Sequence, residues 1–272
     1  MTERPRLTTR HVSEAAPNPV HRSPDFWHAR YAQQASWTAA LRRRAYAQAS
    51  LVPTDRVLEV GAGTGVITTD LRRETGARVF GVDCDLEVTR FAHRQDPLTR
   101  LALADARSLP FADGSFEATV SHFLLLWIED PEAAVREMAR VTRPGGWVLC
   151  LAEPDYGGRI DHPALLASAG MLQAEALRRQ GADPLLGRRL RELLTLGGLG
   201  EIQVGVLGGE WQGVPSQPDI DSEWATLASD LEGLMSEHEL AQLRRAHLRA
   251  VASGTRLLFV PTFFGFGRNP AK

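Results

Sequence analysis

Three glycines at alternate positions, Gly61, Gly63 and Gly65, follow an apolar run, Val57, Leu58 and Val60, broken by one acid, Glu59. Branched residues in such a run read as a buried strand. Val66-Ile67-Thr68-Thr69-Asp70-Leu71 then opens a helix that stops near Gly76. A strand, a glycine turn and a helix N-terminus bring backbone N–H groups to one place, where a ligand can approach with no Cβ in the way. Asp83 stands 22 residues after Gly61, at the end of the next apolar run. An acceptor-only carboxylate there suits the two hydroxyls of a ribose, in a dinucleotide or another nucleoside alike. The dinucleotide fingerprint G-x-G-x-x-G requires a third glycine where this chain has Val66. Candidates for acid–base work are His122, after a fourth apolar run, and Tyr156, with Glu153 and Asp155 behind them. His28, His162, His238 and His247 have no convergent partners in the sequence and read as surface residues.

The elements that would position these groups alternate strand with helix. Residues 25–50 carry Phe26, Trp27, Arg30, Tyr31, Gln34, Trp37 and Leu41 at helical spacing and read as a cap helix on the sheet edge. Strands are expected at 57–60, 77–82, 100–104, 117–120, 147–152 and 202–207, and a last one over 256–267. Asp130-Pro131-Glu132 starts a helix with a cap, a proline at the first position and an acid beside it, and Val135, Met138 and Val141 form its buried stripe. Leu165 to Leu177 is amphipathic, and a helix with Leu186, Leu190, Leu193 and Leu194 on one face follows Pro184. Two more helices fall in 211–252, one through Trp224, Leu227 and Leu231, one begun by the capping box at Ser236 and Glu239. Strands and helices in this alternation imply an α/β sandwich.

The spacing Glu59-Val60-Gly61-Ala62-Gly63-Thr64-Gly65 resembles motif I of the class I S-adenosylmethionine-dependent methyltransferases. Further phrases strengthen the resemblance: Asp105-Ala106 with Leu109-Pro110-Phe111 and an acidic turn ending in Phe116, and Arg140-Val141-Thr142-Arg143-Pro144-Gly145-Gly146, which is similar to the group that includes quinone-biosynthesis methyltransferases. The phrase Arg30 to Trp37 is similar to one that precedes motif I in small-molecule methyltransferases. The resemblance covers about residues 50–272. It implies a Rossmann-like fold with a seven-stranded, mostly parallel sheet in the order 3-2-1-4-5-7-6, the last strand antiparallel, with helical lid insertions. It also implies S-adenosyl-L-methionine as cofactor, held by Tyr31, Glu59, Gly61, Ala62, Gly63, Asp83, Cys84, Asp105, Ala106 and Ser121. Asp83 would take the ribose hydroxyls. Asp105 would accept from the adenine amino group, and the Ala106 N–H would donate to the ring.

The activity this implies is methyl transfer by in-line displacement to an O, N or C atom of a small, partly apolar molecule. His122 and Tyr156 are the catalytic candidates, and Trp37, Phe123, Trp127, Trp211, Trp224 and Phe264 are available to line the acceptor pocket. A non-catalytic S-adenosylmethionine-binding module and a nicotinamide-dependent oxidoreductase stay open as alternatives. The expected organisation is a flexible tail over 1–24, a helical cap over 25–50 and the methyltransferase domain over 51–272, with insertions at about 155–182 and 211–254. A net charge of −2 argues against a protein devoted to gripping nucleic acid. The chain has two cysteines, Cys84 and Cys150, without metal-ligand spacing, so no metal site, no disulfide and a reducing, cytoplasmic setting are expected. No apolar run approaches a membrane span. A homodimer is left open.

Overall fold

The structure is a computed structural model that describes residues 23–207 and 216–271. The expected tail over 1–24 falls almost entirely outside the described residues, as does Trp211.

Helix α1 (Pro24–Gln48) starts at Ser23, whose side chain accepts from the Phe26 N–H, with Pro24 at the first helical position. Its second half buries Leu41, Ala45 and Tyr46, which pack with Leu71 of α2 (Val66–Thr75) against one face of the main sheet. The cap is therefore a face helix rather than an edge helix. The stripe at 41, 45 and 46 continues the apolar spacing into a region the sequence leaves less obvious.

Strands β1 (Arg56–Val60), β2 (Arg78–Asp83), β3 (Leu101–Leu103), β4 (Phe116–Ser121) and β5 (Thr142–Pro154) are parallel neighbours. Helix α3 (Leu86–Gln95) follows β2 and is capped by the Asp85 carboxylate. Helix α4 (Pro131–Val141) begins on Asp130, which accepts from the Ala133 N–H at 2.9 Å, and buries Val135, Met138 and Val141 on the other face of the sheet. The chain then runs through β6 (Ile160–His162), α5 (Ala167–Arg179), α6 (Leu190–Leu196), β7 (Gly200–Val206), α7 (Gln217–Asp230), α8 (Glu237–Ala252), β8 (Leu257–Phe259) and β9 (Thr262–Arg268).

The main sheet has the order β3-β2-β1-β4-β5-β9-β7. Only β9 runs against its neighbours. Numbered within that sheet, β7 is sixth and β9 seventh, which gives the expected 3-2-1-4-5-7-6 with the last strand reversed. The last strand is shorter than expected. Its first part is a separate strand, β8, which pairs with β6 in a two-stranded ribbon that the sequence reading lacks. Pro261 divides them, because proline has no N–H to give to a ladder. Asp161 in β6 also draws Arg256 beside β8, at 2.9 Å.

Helices α5, α7 and α8 share a small core of their own, including Leu166, Leu227, Leu231 and Leu243. The expected capping box at Ser236 and Glu239 is formed at the start of α8. Cys84 is exposed just after β2, and Cys150 is buried in β5. Among the described residues, no helix is long and apolar enough to cross a membrane.

Candidate active site

The order of the sheet reverses between β1 and β4, which opens a crevice at the carboxyl ends of these strands. The glycine turn lies there. Gly61 has φ +74°, and an added Cβ would collide with Leu124; Gly63 has φ +52°, and a Cβ would come within 3.1 Å of the Tyr31 ring. Both demands select glycine. The turn's N–H groups are spent differently from the simple expectation of an open cradle. Those of Gly61 and Ala62 donate to the Val82 carbonyl at 2.8 and 2.9 Å. The Gly63 N–H donates to the Asp83 carboxylate at 2.8 Å, and the other Asp83 oxygen accepts from the Asp85 N–H at 3.0 Å. Asp83 is thus locked in place with lone pairs to spare, and burial raises its pKa above the ordinary value despite those donors.

Glu59 does not face the crevice. It is buried beneath the turn, where it accepts from the Thr68 hydroxyl on α2, and burial pushes its pKa up to about 8. Its side chain braces the helix start from below rather than presenting to a ligand.

The first half of α1 crosses the turn. Tyr31 lies over Gly63 and stacks on Trp27 with ring centroids 5.9 Å apart. Burial and the nearby Asp83 raise the Tyr31 hydroxyl to about 12. His28 is not a surface residue: its Nδ1 sits 3.0 Å from the Thr64 hydroxyl and its ring 5.5 Å from Phe91, so it ties α1 to the turn. His247 is likewise buried, against Trp224. His162 and His238 are exposed, as expected.

On the other side of Asp83, Leu103 is its register partner in β3, and both Leu103 and Leu86 are large exposed apolar residues. Next to them stand the exposed Cys84 and the Asp105-Ala106 pair. Arg107 holds the Asp105 carboxylate at 2.8 Å and lowers its pKa. Both partners are about half exposed, so this pair is weak and open to exchange. Glu129, 3.4 Å away, offers Arg107 a second partner. A ribose-binding carboxylate, two exposed leucines and a second exchangeable carboxylate fit an adenosine moiety in their chemistry. A nucleoside-bearing group such as S-adenosylmethionine is therefore compatible with the residues present.

The end of β4 departs most from the sequence reading. Ser121 is fully buried, in register with Cys150, and presents no surface to a ligand. His122 Nε2 lies 2.9 Å from the Thr38 hydroxyl, which also accepts from Arg42. Arg42 is buried and pairs with Asp70 at 2.8 Å. Burial, with Arg42 adding to it, depresses His122 to about 3. It is a neutral link between α1 and β4 at neutral pH, too weak a base for proton abstraction.

Phe123 follows with φ +53°, a conformation that bulky residues adopt only when the surroundings impose it. Its N–H donates to the Ala152 carbonyl at 2.9 Å. The next three N–H groups, of Leu124, Leu125 and Leu126, donate to the Glu153 carboxylate at 2.9–3.2 Å. Glu153 is fully buried, and burial raises it to about 7. It pins the loop. Asp155 is also buried, held by Arg188 at 2.5 and 2.7 Å. Neither residue faces water, because each has an internal donor set that the linear sequence does not reveal.

Tyr156 does reach a cavity of about 450 Å³ between the sheet and the helices α1, α5 and α7. Trp37 and Phe123 line it too, and so does Arg30, which was not among the residues expected to line the pocket. Burial raises the Tyr156 hydroxyl, so it is protonated at neutral pH and can donate. Trp127 is exposed and lies outside this lining, as do Trp224 and Phe264. No group of three or more potential metal ligands occurs among the described residues.

A family model described as a methyltransferase domain matches residues 58–150, the span from β1 to β5. Over 124 residues the chain is 41% identical to a demethylmenaquinone methyltransferase of Corynebacterium urealyticum, covering 45% of this chain and 50% of the relative. The chain thus spans about half the length of the curated relatives it matches. A chain from the complex between the Haloferax volcanii Trm112 methyltransferase activator and a methyltransferase superposes with TM-score 0.57 at 19% identity, covering 92% of this chain and 99% of that one. Phosphoethanolamine N-methyltransferase 2 of Haemonchus contortus, in complex with S-adenosyl-L-methionine, superposes with TM-score 0.53 at 19% identity, covering 81% and 50%. These structural likenesses establish the fold.

Proposed function

We propose that the chain carries a class I methyltransferase domain and is an S-adenosylmethionine-dependent enzyme that methylates a small molecule. The observation that supports this most is the crevice at the β1/β4 reversal, where Asp83 is fixed by the Gly63 and Asp85 N–H groups beside exposed leucines. When bound, the cofactor supplies a methyl group on a sulfonium, which is already a good leaving group.

In this proposal Asp83 would hold the ribose hydroxyls. Asp105, whose pair with Arg107 is exchangeable, would hold the adenine amino group, and the Ala106 N–H would hold the ring. Tyr31 closes over the turn at Gly63, with Gly61, Ala62 and the exposed Cys84 forming the surrounding wall. Glu59 acts from beneath by bracing α2, and Ser121 by shaping the floor. The acceptor lies in the cavity beside Phe123 and Tyr156. Holding an acceptor in line can contribute roughly 7–11 kcal/mol in well-aligned reactions. Tyr156 would orient the acceptor by donating a hydrogen bond, and His122 would fix α1 over the site. Neither has the basicity for a general base at neutral pH. Alignment rather than proton abstraction is therefore the main work of the chain. The insertions that carry α5, α7 and α8 form the lid, and the chain divides into cap, domain and insertions as the sequence suggests.

The experiment is incubation with S-adenosylmethionine and a panel of small phenols, amines and carbon acids, following release of S-adenosylhomocysteine. Acceptor-dependent release is expected. Tight binding of the cofactor with no release across the panel would replace the enzyme by a binding module.

A further inference from the structure

Among the described residues, Arg30 is the cation lining the acceptor cavity that lacks an ion pair. The other arginine in the lining, Arg159, is paired with Asp161 at 2.6 Å. Arg30 makes no ion pair among the described residues. Its Nη1 donates to the Gln33 side-chain carbonyl at 2.7 Å, and its guanidinium lies 5.1 Å from the Trp37 ring centre. Burial lowers its pKa, against the opposing influence of Tyr156, Glu223 and Asp230. The two carboxylates are engaged elsewhere. Glu223 faces Arg256 at 3.5 Å, and Asp230 accepts from Gln173 at 2.6 Å. Asp219, on the rim, accepts from Gln33 at 3.0 Å and from Ser216. A half-buried guanidinium without an anion is held at a free-energy cost that a carboxylate partner would offset.

The surroundings say what the carboxylate is attached to. Arg30, Gln33, Gln34 and Trp37 share one face of α1 by their three- and four-residue spacing and all line the cavity. Trp37 is 55% exposed although it is one of the largest apolar side chains in the chain. Phe123 enters the same space from its constrained backbone at the end of β4. Aromatic walls around a fork of N–H donors suit a flat ring that ends in a carboxylate. The cavity volume, about 450 Å³, admits a single ring with substituents.

Resting on the methyltransferase reading above, we propose that the methyl acceptor is a ring compound bearing a carboxylate, which Arg30 grips while Trp37 and Phe123 enclose the ring. Gln33 holds one arm of the guanidinium and leaves the other for the ligand. The same residue fixes α1 to α7, because its carbonyl accepts from Ser222 and its amide donates to Asp219. Acceptor binding and lid position therefore meet at one side chain.

Three probes of one ring size and different charge test this: 4-hydroxybenzoate, its methyl ester and tyramine, each titrated into the protein saturated with S-adenosylhomocysteine. The benzoate is expected to bind about 30-fold more tightly than the ester, tyramine least, with the preference lost in Arg30→Gln and partly kept in Arg30→Lys. Preference for tyramine, equal binding of the three, binding of none, or a carboxylate preference that survives Arg30→Gln would each overturn the proposal. Titration of the same proteins with S-adenosylhomocysteine alone reads the cofactor site separately. Failure there removes the methyltransferase reading, whereas failure of the ring probes with that site intact removes only the carboxylate.

Discussion

Gly61, Glu59 and His122 show what a single residue can and cannot disclose. Gly61 must be glycine twice over, by its φ of +74° and by Leu124 against it. Gly61→Ala is expected to lower thermal stability and to abolish cofactor binding, measured by melting with and without S-adenosylhomocysteine; unchanged melting and an unchanged ligand shift would contradict this. The spacing of Gly61, Gly63 and Asp83 was legible because backbone geometry and one acceptor group define it. The role of Glu59 was not, since a buried carboxylate and a presented one look alike in a sequence. Its burial has a consequence for pH. Glu59 and Glu153 have folded pKa values of about 8 and about 7, raised from 4.5. The native state therefore keeps protons that the unfolded chain has lost, and stability falls as pH rises through that window. His122 acts oppositely, but only between about 3 and 6.5. From pH 6.5 to 8 the two acids dominate, so the urea midpoint should decline over that range, and Glu59→Gln should flatten the decline. A midpoint that climbs with pH there would refute the assignment.

At the scale of elements, α1 and the loop after β4 are built as one unit. α1 presents Tyr31, Thr38 and Arg42 toward the turn, β4 and α2, and Arg30 and Trp37 toward the cavity. Periodicity showed that a helix lies there and which residues could be inward, but a 3.6-residue repeat cannot tell two inward faces apart. The β4 loop was less legible still, because its conformation depends on Glu153, 29 residues beyond Leu124, donating nothing and accepting three N–H groups. Glu153→Ala leaves buried donors unsatisfied and is expected to destabilise the fold by roughly 1–3 kcal/mol or more in urea titration. It should also weaken acceptor turnover more than cofactor binding, since Phe123 is set by the same loop. Equal loss of both would place the effect in global unfolding alone. The parallel strands were read close to their bounds except β5, which starts at Thr142 rather than Trp147, while β6 and the split at Pro261 were not read.

At the scale of the whole molecule, the described residues form two cores on either side of the sheet and a third inside the lid. The third is small, and polar links from Gln33 to Asp219 and Ser222 tie its helix α7 to α1. Segments with few buried apolar contacts open at lower free energy than the global transition. Amides of α7 and α8 should accordingly exchange at least about tenfold faster than those of β1, β4 and β5 in hydrogen-exchange mass spectrometry. Uniform protection across both regions would mean the lid is part of the main cooperative unit. The topology itself was legible from alternating strand and helix signals together with the family motifs. The lid's internal packing was not, because short amphipathic helices do not specify their partners.

In the proposed function, the turn at Gly61–Gly63 and Asp83 forms a cradle for a sulfonium nucleoside. Calorimetric titration with S-adenosylhomocysteine of the natural protein and of Asp83→Asn tests it most directly. One molecule should bind per chain, with affinity reduced roughly tenfold or more in the variant, as expected when a charge-assisted hydrogen bond to the ribose is lost. No heat with the natural protein, or equal affinity in the two, would contradict the account.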